Sequence, residues 1–425
     1  MQASVAYTPT SFPPPQQCLD ERTSGKLTGG GVLLFLSGLA VAGTGFANLR
    51  PSVFGLHVHP YLIPIGLAFP FLLVSRIHKF PTNTLFGMLI FTSIYIFSTL
   101  ISGLGSPETP KILVGMITIV VAALLIRSRA DFIAGALGLS IAVGILSFRG
   151  LTAEGDAAAG AIDLTNKNAF SLFALPATFF SCFIALNYDT KQWVKAILLL
   201  TAIASTVAIF SSQNRSGYLG IMLIGLMLLR NRKFFGLLLV LVIATAATVA
   251  ISKLGTADVA QARIERTFEG NIDSDRDRLA LFLTSLQIGL ENPIIGVSPE
   301  GLTFELARRV MPKLPYVDPH NVFASVFGGC GIICFSALLY TGWSICNILP
   351  AKRIVDEKDM FYRQSRSLAR MLVILWCVRG LFTREILYNP SFCLALGMVI
   401  GLCLVASGRT QLRDHRRHDV AVAPS

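Results

Sequence analysis

Apolar runs of roughly 17–20 residues, each long enough for a helix to cross a hydrocarbon core of about 30 Å, recur along this chain of 425 residues. In lipid, each backbone N–H and C=O must be satisfied inside the protein, so a long uniform run has to be helical. A closed barrel would need short alternating strands instead. Composition agrees, with 14% of residues charged against about a quarter in an ordinary soluble domain. The chain is expected to be all-α, a polytopic membrane protein with about twelve transmembrane helices.

Run length places the spans near 30–47, 60–75, 84–101, 112–126, 132–148, 169–187, 193–211, 217–229, 234–252, 321–349, 367–383 and 388–407. The loops between them alternate in charge. One set holds Arg22 and Lys26, Arg76 and Lys79, Arg127 and Arg129, Lys191 and Lys195, the Arg230/Arg232/Lys233 group, five basic residues from Lys352 to Arg366, and Arg409 to Arg417. The opposite short loops hold only Arg50, Lys111, Arg149, Lys167, Arg215 and Arg384. Cytoplasmic loops collect Lys and Arg, so both termini are expected in the cytoplasm. Most of the formal charge of +12 is then topological, and no nucleic-acid partner is expected.

Residues 1–29, rich in Pro, Gln, Ser and Gly, are expected to form a disordered cytoplasmic tail, and 408–425 a second tail. Six of the eight cysteines (Cys182, Cys334, Cys346, Cys377, Cys393 and Cys403) lie inside apolar runs, Cys330 starts one, and Cys18 sits in the first tail. They read as small packing residues, with neither disulfide spacing nor zinc spacing. No metal and no other cofactor is expected.

The same topology puts 149–168 and the long 253–320 loop outside, between helices at 30–252 and 321–407. Within the long loop, Leu279, Phe282, Leu283, Leu286 and Leu290 recur at helical spacing and predict an apolar stripe. Asn292-Pro293 and Gly296 should end that helix, and Pro299-Glu300 should open another through Arg309. A folded helical subdomain lying against the membrane is the expectation.

Four outer positions carry candidate chemistry. Arg215, in SSQNRSGYLG, has no acidic residue within four positions and small or polar flanks. Its alternatives are a residue that snorkels to anchor a helix end and a guanidinium that grips phosphate oxygens. Arg278, in SDRDRLALF, starts the amphipathic helix; it is either paired with Asp275 or Asp277 or placed for an anion at a helix N-terminus. His320, where the loop runs into the next span, is either an interface histidine or a proton acceptor. Asn168 starts the span after the first outer loop.

These pieces, taken in order, resemble the O-antigen ligase and polymerase superfamily of bacterial membrane glycosyltransferases. Asn166-Lys167-Asn168-Ala169 is similar to the family's Asn-rich start of a span, and Asn214-Arg215-Ser216-Gly217 to its Ser-Arg-x-Gly turn. Arg278 to Phe282 followed by Asn292-Pro293-Ile294-Ile295-Gly296 resembles its Arg-x-x-x-aromatic helix and Asn/His-Pro-x-x-Gly turn. His320-Asn321, nine residues, then Gly331 resembles the His-Asn-x9-Gly pattern of the ligases. Three positions depart: Asn214 replaces Ser, Ser298 stands where a second Gly often follows Gly296, and Cys334 replaces Gly, Thr or Tyr.

The resemblance implies a GT-C-like fold and an inverting, metal-independent transferase. Its donor would be a glycan on undecaprenyl pyrophosphate, presented among membrane lipid at the periplasmic face. The acceptor would be lipid A–core in a ligase, or another lipid-linked glycan in an O-antigen or exopolysaccharide polymerase. Arg215 and Arg278 would stabilise the departing pyrophosphate, His320 would take the acceptor proton, and Asn168, Asn214, Ser216 and Asn321 would line the substrate. A twelve-span secondary transporter is the rival of another class, although no two related halves are visible.

Overall fold

The computed structural model describes residues 26–45, 52–53, 56–57, 59–103, 106, 108–152, 167–211, 214–231, 272–349 and 360–421. Thirteen α-helices make up nearly all of it. First come α1 (Gly29–Ala40), a 3-10 turn, and a two-residue antiparallel pairing of β1 (Ser52–Val53) with β2 (Leu56–His57). Then follow α2 (Leu62–Arg76), α3 (Thr82–Ile101), α4 (Thr109–Leu125), α5 (Arg129–Thr152), α6 (Lys167–Asn187), α7 (Gln192–Ser211) and α8 (Arg215–Asn231). The later elements are α9 (Ile272–Glu291), α10 (Pro299–Val310), α11 (Val322–Cys346), α12 (Met360–Gly380) and α13 (Pro390–Ala421).

Eleven of the twelve expected spans fall on these helices; the twelfth, 234–252, lies outside the described residues. Seven helices are long and apolar enough to cross a membrane, and α1, α4 and α8 are shorter apolar helices. The eleventh, α12, carries Arg363, Arg366, Arg370 and Arg379. Beyond Gly408, α13 continues to Ala421 through an Arg-rich stretch, because arginine is a good helix former wherever the membrane ends.

Small residues let the helices approach closely, the rule where lipid offers no hydrophobic drive between them. Gly397 and Gly401 of α13 set their backbone against the Ile119 and Ala123 carbonyls of α4, where a Cβ would collide. Buried hydroxyl pairs add to this: Thr84 with Ser344 at 2.8 Å, Ser140 with Ser181 at 2.8 Å, and Thr178 with Ser205 at 2.7 Å.

Contacts between loops sort them into two sets. At one end, Thr28 N–H donates to Asp131 at 2.9 Å, Arg76 reaches the Leu124 carbonyl, and Gln364 donates to the Asn187 carbonyl at 2.9 Å. At the other end meet the starts of α6, α8 and α11, the end of α12, and the loops before α4 and α13. These are the two sets that the charge alternation separates.

The helices α9 and α10 hold a core of their own, built from Leu281, Ile288, Leu302, Leu306, Ala307 and Val317. Arg309 clamps the two helices, with both Glu291 oxygens at 2.7 and 2.9 Å and Glu305 at 3.1 Å. The expected stripe of α9 lies beside the face that packs on the protein. Leu281, Ser285, Ile288 and Gly289 face inward, while Leu279, Leu283 and Leu290 are exposed and Phe282 and Leu286 are half-buried. The buried face uses small residues because α11 comes close there: Gly289 meets the Phe327 ring, and the Ser285 carbonyl lies against Gly328.

Candidate active site

The start of α8 is a capped turn. Asn214, 5% exposed, precedes it and accepts from Ser216 N–H at 3.1 Å, Ser216 Oγ at 2.7 Å and Gly217 N–H at 3.3 Å. This is an N-cap, and it consumes N–H groups that the sequence offers to an anion. The Asn214 amide donates to Ser171 Oγ at 2.8 Å, one turn into α6 from Asn168. A Cβ at Gly217 would press on Ser171 and Ile209, so the glycine lets α8 sit against α6. Arg215 is the first residue of α8; its side chain and that of Asn168 lie outside the described residues.

Ser171 Oγ has a second donor that sequence reading missed. Arg379, near the end of α12 and wholly buried, donates from Nη2 at 2.9 Å. Two residues further on, the Leu381 carbonyl accepts from the Asn321 amide at 3.2 Å. Asn321 is 7% exposed and caps α11, accepting from Phe323 and Ala324 N–H at 2.9 and 3.0 Å. Two residues of chain span at most about 7 Å. The end of α12 thus joins the Asn214 node to the residue next to His320.

His320 adopts φ 51° and is 46% exposed in its side chain. A positive φ is uncommon outside glycine, with histidine among the residues that tolerate it best. Asp318 holds this turn: Oδ1 accepts His320 N–H at 2.7 Å and lies 4.0 Å from its Nδ1. Asp318 Oδ2 is 2.7 Å from Arg384 Nε, and Arg384 Nη2 is 3.0 Å from Glu108 Oε1. Tyr388 donates to that Glu108 oxygen at 3.2 Å, and Lys111 sits over the Tyr388 ring. The sequence had placed Arg384 only as an outer-loop charge.

Burial is the largest influence on Glu108 and pushes its carboxyl above the usual range, while Arg384 pulls it back in part. Burial alone would lower the Arg384 guanidinium; Asp318 and Glu108 outweigh it and hold it above its ordinary value. The result is a screened chain of alternating charge behind the imidazole.

Two further motif pieces interlock beneath this site. Gly331 breaks the dihedrals of α11 with φ 74°, and Gly296 has the same φ in the Asn292-Pro293-Ile294-Ile295-Gly296 turn. Ile332 N–H donates to the Pro293 carbonyl at 2.7 Å and Val297 N–H to the Gly328 carbonyl at 3.2 Å. Ser98 Oγ bonds both the Ile295 and Gly329 carbonyls. A side chain at either glycine would strike the backbone of the other segment. Ser298 also takes a positive φ, 72°, where a glycine would sit without strain; its hydroxyl instead caps α10 through Gly301 N–H at 2.9 Å.

The structure thus gathers the Asn168 turn, Asn214, the start of α8, Ser216, His320 and Asn321 at one end of the bundle. Arg278 is exposed in the first turns of α9, with no ion pair among the described residues, and stands outside this network. Asn214 and Asn321 serve as caps with buried side chains, and the buried Ser216 hydroxyl donates to the Asn214 oxygen. The signal for Arg379 was available as the lone charge in MLVILWCVRGLF, since an ionisable residue within a span marks function by default.

No curated protein matches the chain. Residues 200–339 match the family described as O-antigen ligase. The segment begins in α7, ends in α11 and contains Arg215, Arg278 and His320. That segment, with its capped α8 start and its interlocked Gly296 and Gly331, is what the chain shares with the O-antigen ligase family.

Proposed function

We propose that the protein is an O-antigen ligase-like glycosyltransferase. It moves a glycan from undecaprenyl pyrophosphate to an acceptor hydroxyl, such as one of lipid A–core, at the periplasmic face of the bacterial inner membrane. The observation that carries this reading is the meeting of the capped Arg215 helix start and the His320 turn, about 100 residues apart in sequence, through the end of α12.

The chemistry follows from those groups. The acceptor hydroxyl gives its proton to His320 and its oxygen attacks the anomeric carbon from the face opposite the phosphate, inverting that centre. The carbon–oxygen bond to phosphate breaks, and its electron pair stays on the pyrophosphate. Arg215 and Arg278 stabilise the charge that builds there, without a metal ion. Arg278 reaches the site only if α9 moves or the donor extends to it. Asp318 steadies the His320 turn by accepting its backbone N–H.

The test is glycan transfer by purified protein with a defined undecaprenyl-pyrophosphate donor, with and without a chelator. His320→Ala and Arg215→Ala, inserted normally, should each lower transfer by about 100-fold or more. A long free lipid-linked product with no use of lipid A–core would assign the polymerase role instead. Solute movement across liposomes without transfer would favour a transporter.

A further inference from the structure

Arg379 is buried with 0% exposure, yet only its Nη2 has a partner, the Ser171 hydroxyl. Nε and Nη1 are buried with no hydrogen-bond acceptor. No carboxylate among the described residues lies within ion-pair distance of it, whereas Arg384 has two. A lone guanidinium within a membrane bundle is strongly disfavoured unless paired or bound to an anion. A residue kept only to tie α12 to Ser171 would not need a charge, because a neutral donor makes the same bond.

The surroundings define the missing partner. Arg379 is one hydroxyl away from Asn214, which caps the positive end of α8. A helix N-terminus and a guanidinium fork both favour an anion with several oxygens at phosphate spacing. We propose that Arg379 is a further anion-binding residue of this site, and that Nε and Nη1 take phosphate oxygens of a lipid-linked diphosphate. This rests on the donor assignment above and extends it to a residue beyond the matched segment, which ends at residue 339. Since the guanidinium is covered, the anion meets it when the start of α8 shifts off the end of α12.

The test uses the full chain in nanodiscs of zwitterionic lipid. The probes are undecaprenyl pyrophosphate without sugar, inorganic pyrophosphate, and added phosphatidylglycerol. Dissociation constants and thermal midpoints are measured for the wild type, Arg379→Met and Arg379→Lys. Wild type should bind undecaprenyl pyrophosphate and melt higher with it. Arg379→Met should bind about 10–100-fold more weakly, the loss of one or two charge-assisted hydrogen bonds, while its ligand-free midpoint stays at or above that of wild type. Arg379→Lys should recover part of the binding.

Four results would overturn the proposal: no binding of the lipid diphosphate by wild type; unchanged binding by Arg379→Met; loss of binding that Arg379→Lys does not relieve, together with a lowered ligand-free midpoint, which is a structural tie; or equal stabilisation by phosphatidylglycerol, which makes the anion a bulk lipid headgroup. The probe carries no sugar and no acceptor is present. Binding through Arg379 in a protein that transfers no glycan would therefore overturn the transferase assignment and leave this inference standing.

Discussion

Arg379 and Arg384 lie five positions apart at the same end of the bundle, and their surroundings are opposite. Arg384 is set between Asp318 at 2.7 Å and Glu108 at 3.0 Å, and its charge is answered twice within the protein. Arg379 is more deeply buried and has a single hydroxyl. A buried ion pair contributes little net stability against apolar packing, but breaking one leaves a costly orphan. Arg384 therefore reads as a residue that organises the His320 turn, and Arg379 as one whose charge is completed from outside. Buried charge alone does not mark a ligand site; the absence of an internal answer does.

The comparison is broken most easily by matched substitutions. Arg384→Met leaves Asp318 and Glu108 without their cation and should lower stability by about 2–4 kcal/mol, the range for a broken pair discounted for the partial exposure of Asp318. Arg379→Met orphans only a hydroxyl and should stay within about 1 kcal/mol of wild type. Thermal midpoints in detergent measure both, and equal losses would erase the distinction. A smaller effect is the coupling of Arg384 to Asp318: a double-mutant cycle with Arg384→Met and Asp318→Asn should give about 1.5–3 kcal/mol.

Glu108 sharpens the paired side. Its carboxyl titrates above the ordinary range because burial outweighs Arg384. The folded state therefore binds this proton more tightly than the unfolded chain. That stability is complete below about pH 4, where both states are protonated, and declines as pH rises through the raised value. Relative to Glu108→Gln, wild type should lose stability between acid pH and neutrality; the reverse slope would mean that Arg384 dominates. The smallest effect is expected at Ser298→Gly. Relief of the positive φ, worth about 1 kcal/mol, should slightly exceed the few tenths lost from the cap, for a gain under about 1 kcal/mol in chemical or thermal denaturation.

Much of the architecture was legible because membrane helices announce themselves by run length. The division of the loops into two sets followed from charge, the helix break at Gly296 from the Asn292-Pro293 before it, and Gly331 from the family resemblance. What stayed hidden shares one physical cause. Glu108 meets Tyr388 across 280 positions and Arg379 meets Ser171 across 208, and no local pattern encodes such pairings. Sorting basic residues by loop also treats the spans as neutral, which is how Arg379 escaped notice. On α9, hydrophobic periodicity favoured the leucine-rich face, while the buried face was chosen by the small residues Ser285 and Gly289 that admit α11. At the capped turns, Asn214 and Asn321 look like ligand-binding amides in sequence, and only the structure shows their oxygens directed at backbone N–H groups.

The central claim is that the turns bearing Arg215 and His320 form one transfer site. The direct measurement is glycan transfer from undecaprenyl pyrophosphate by purified wild type, Arg215→Ala and His320→Ala, each confirmed as folded by its thermal midpoint. The account predicts chelator-insensitive transfer by wild type and a loss of about 100-fold or more in each variant. Full transfer by either folded variant would contradict it.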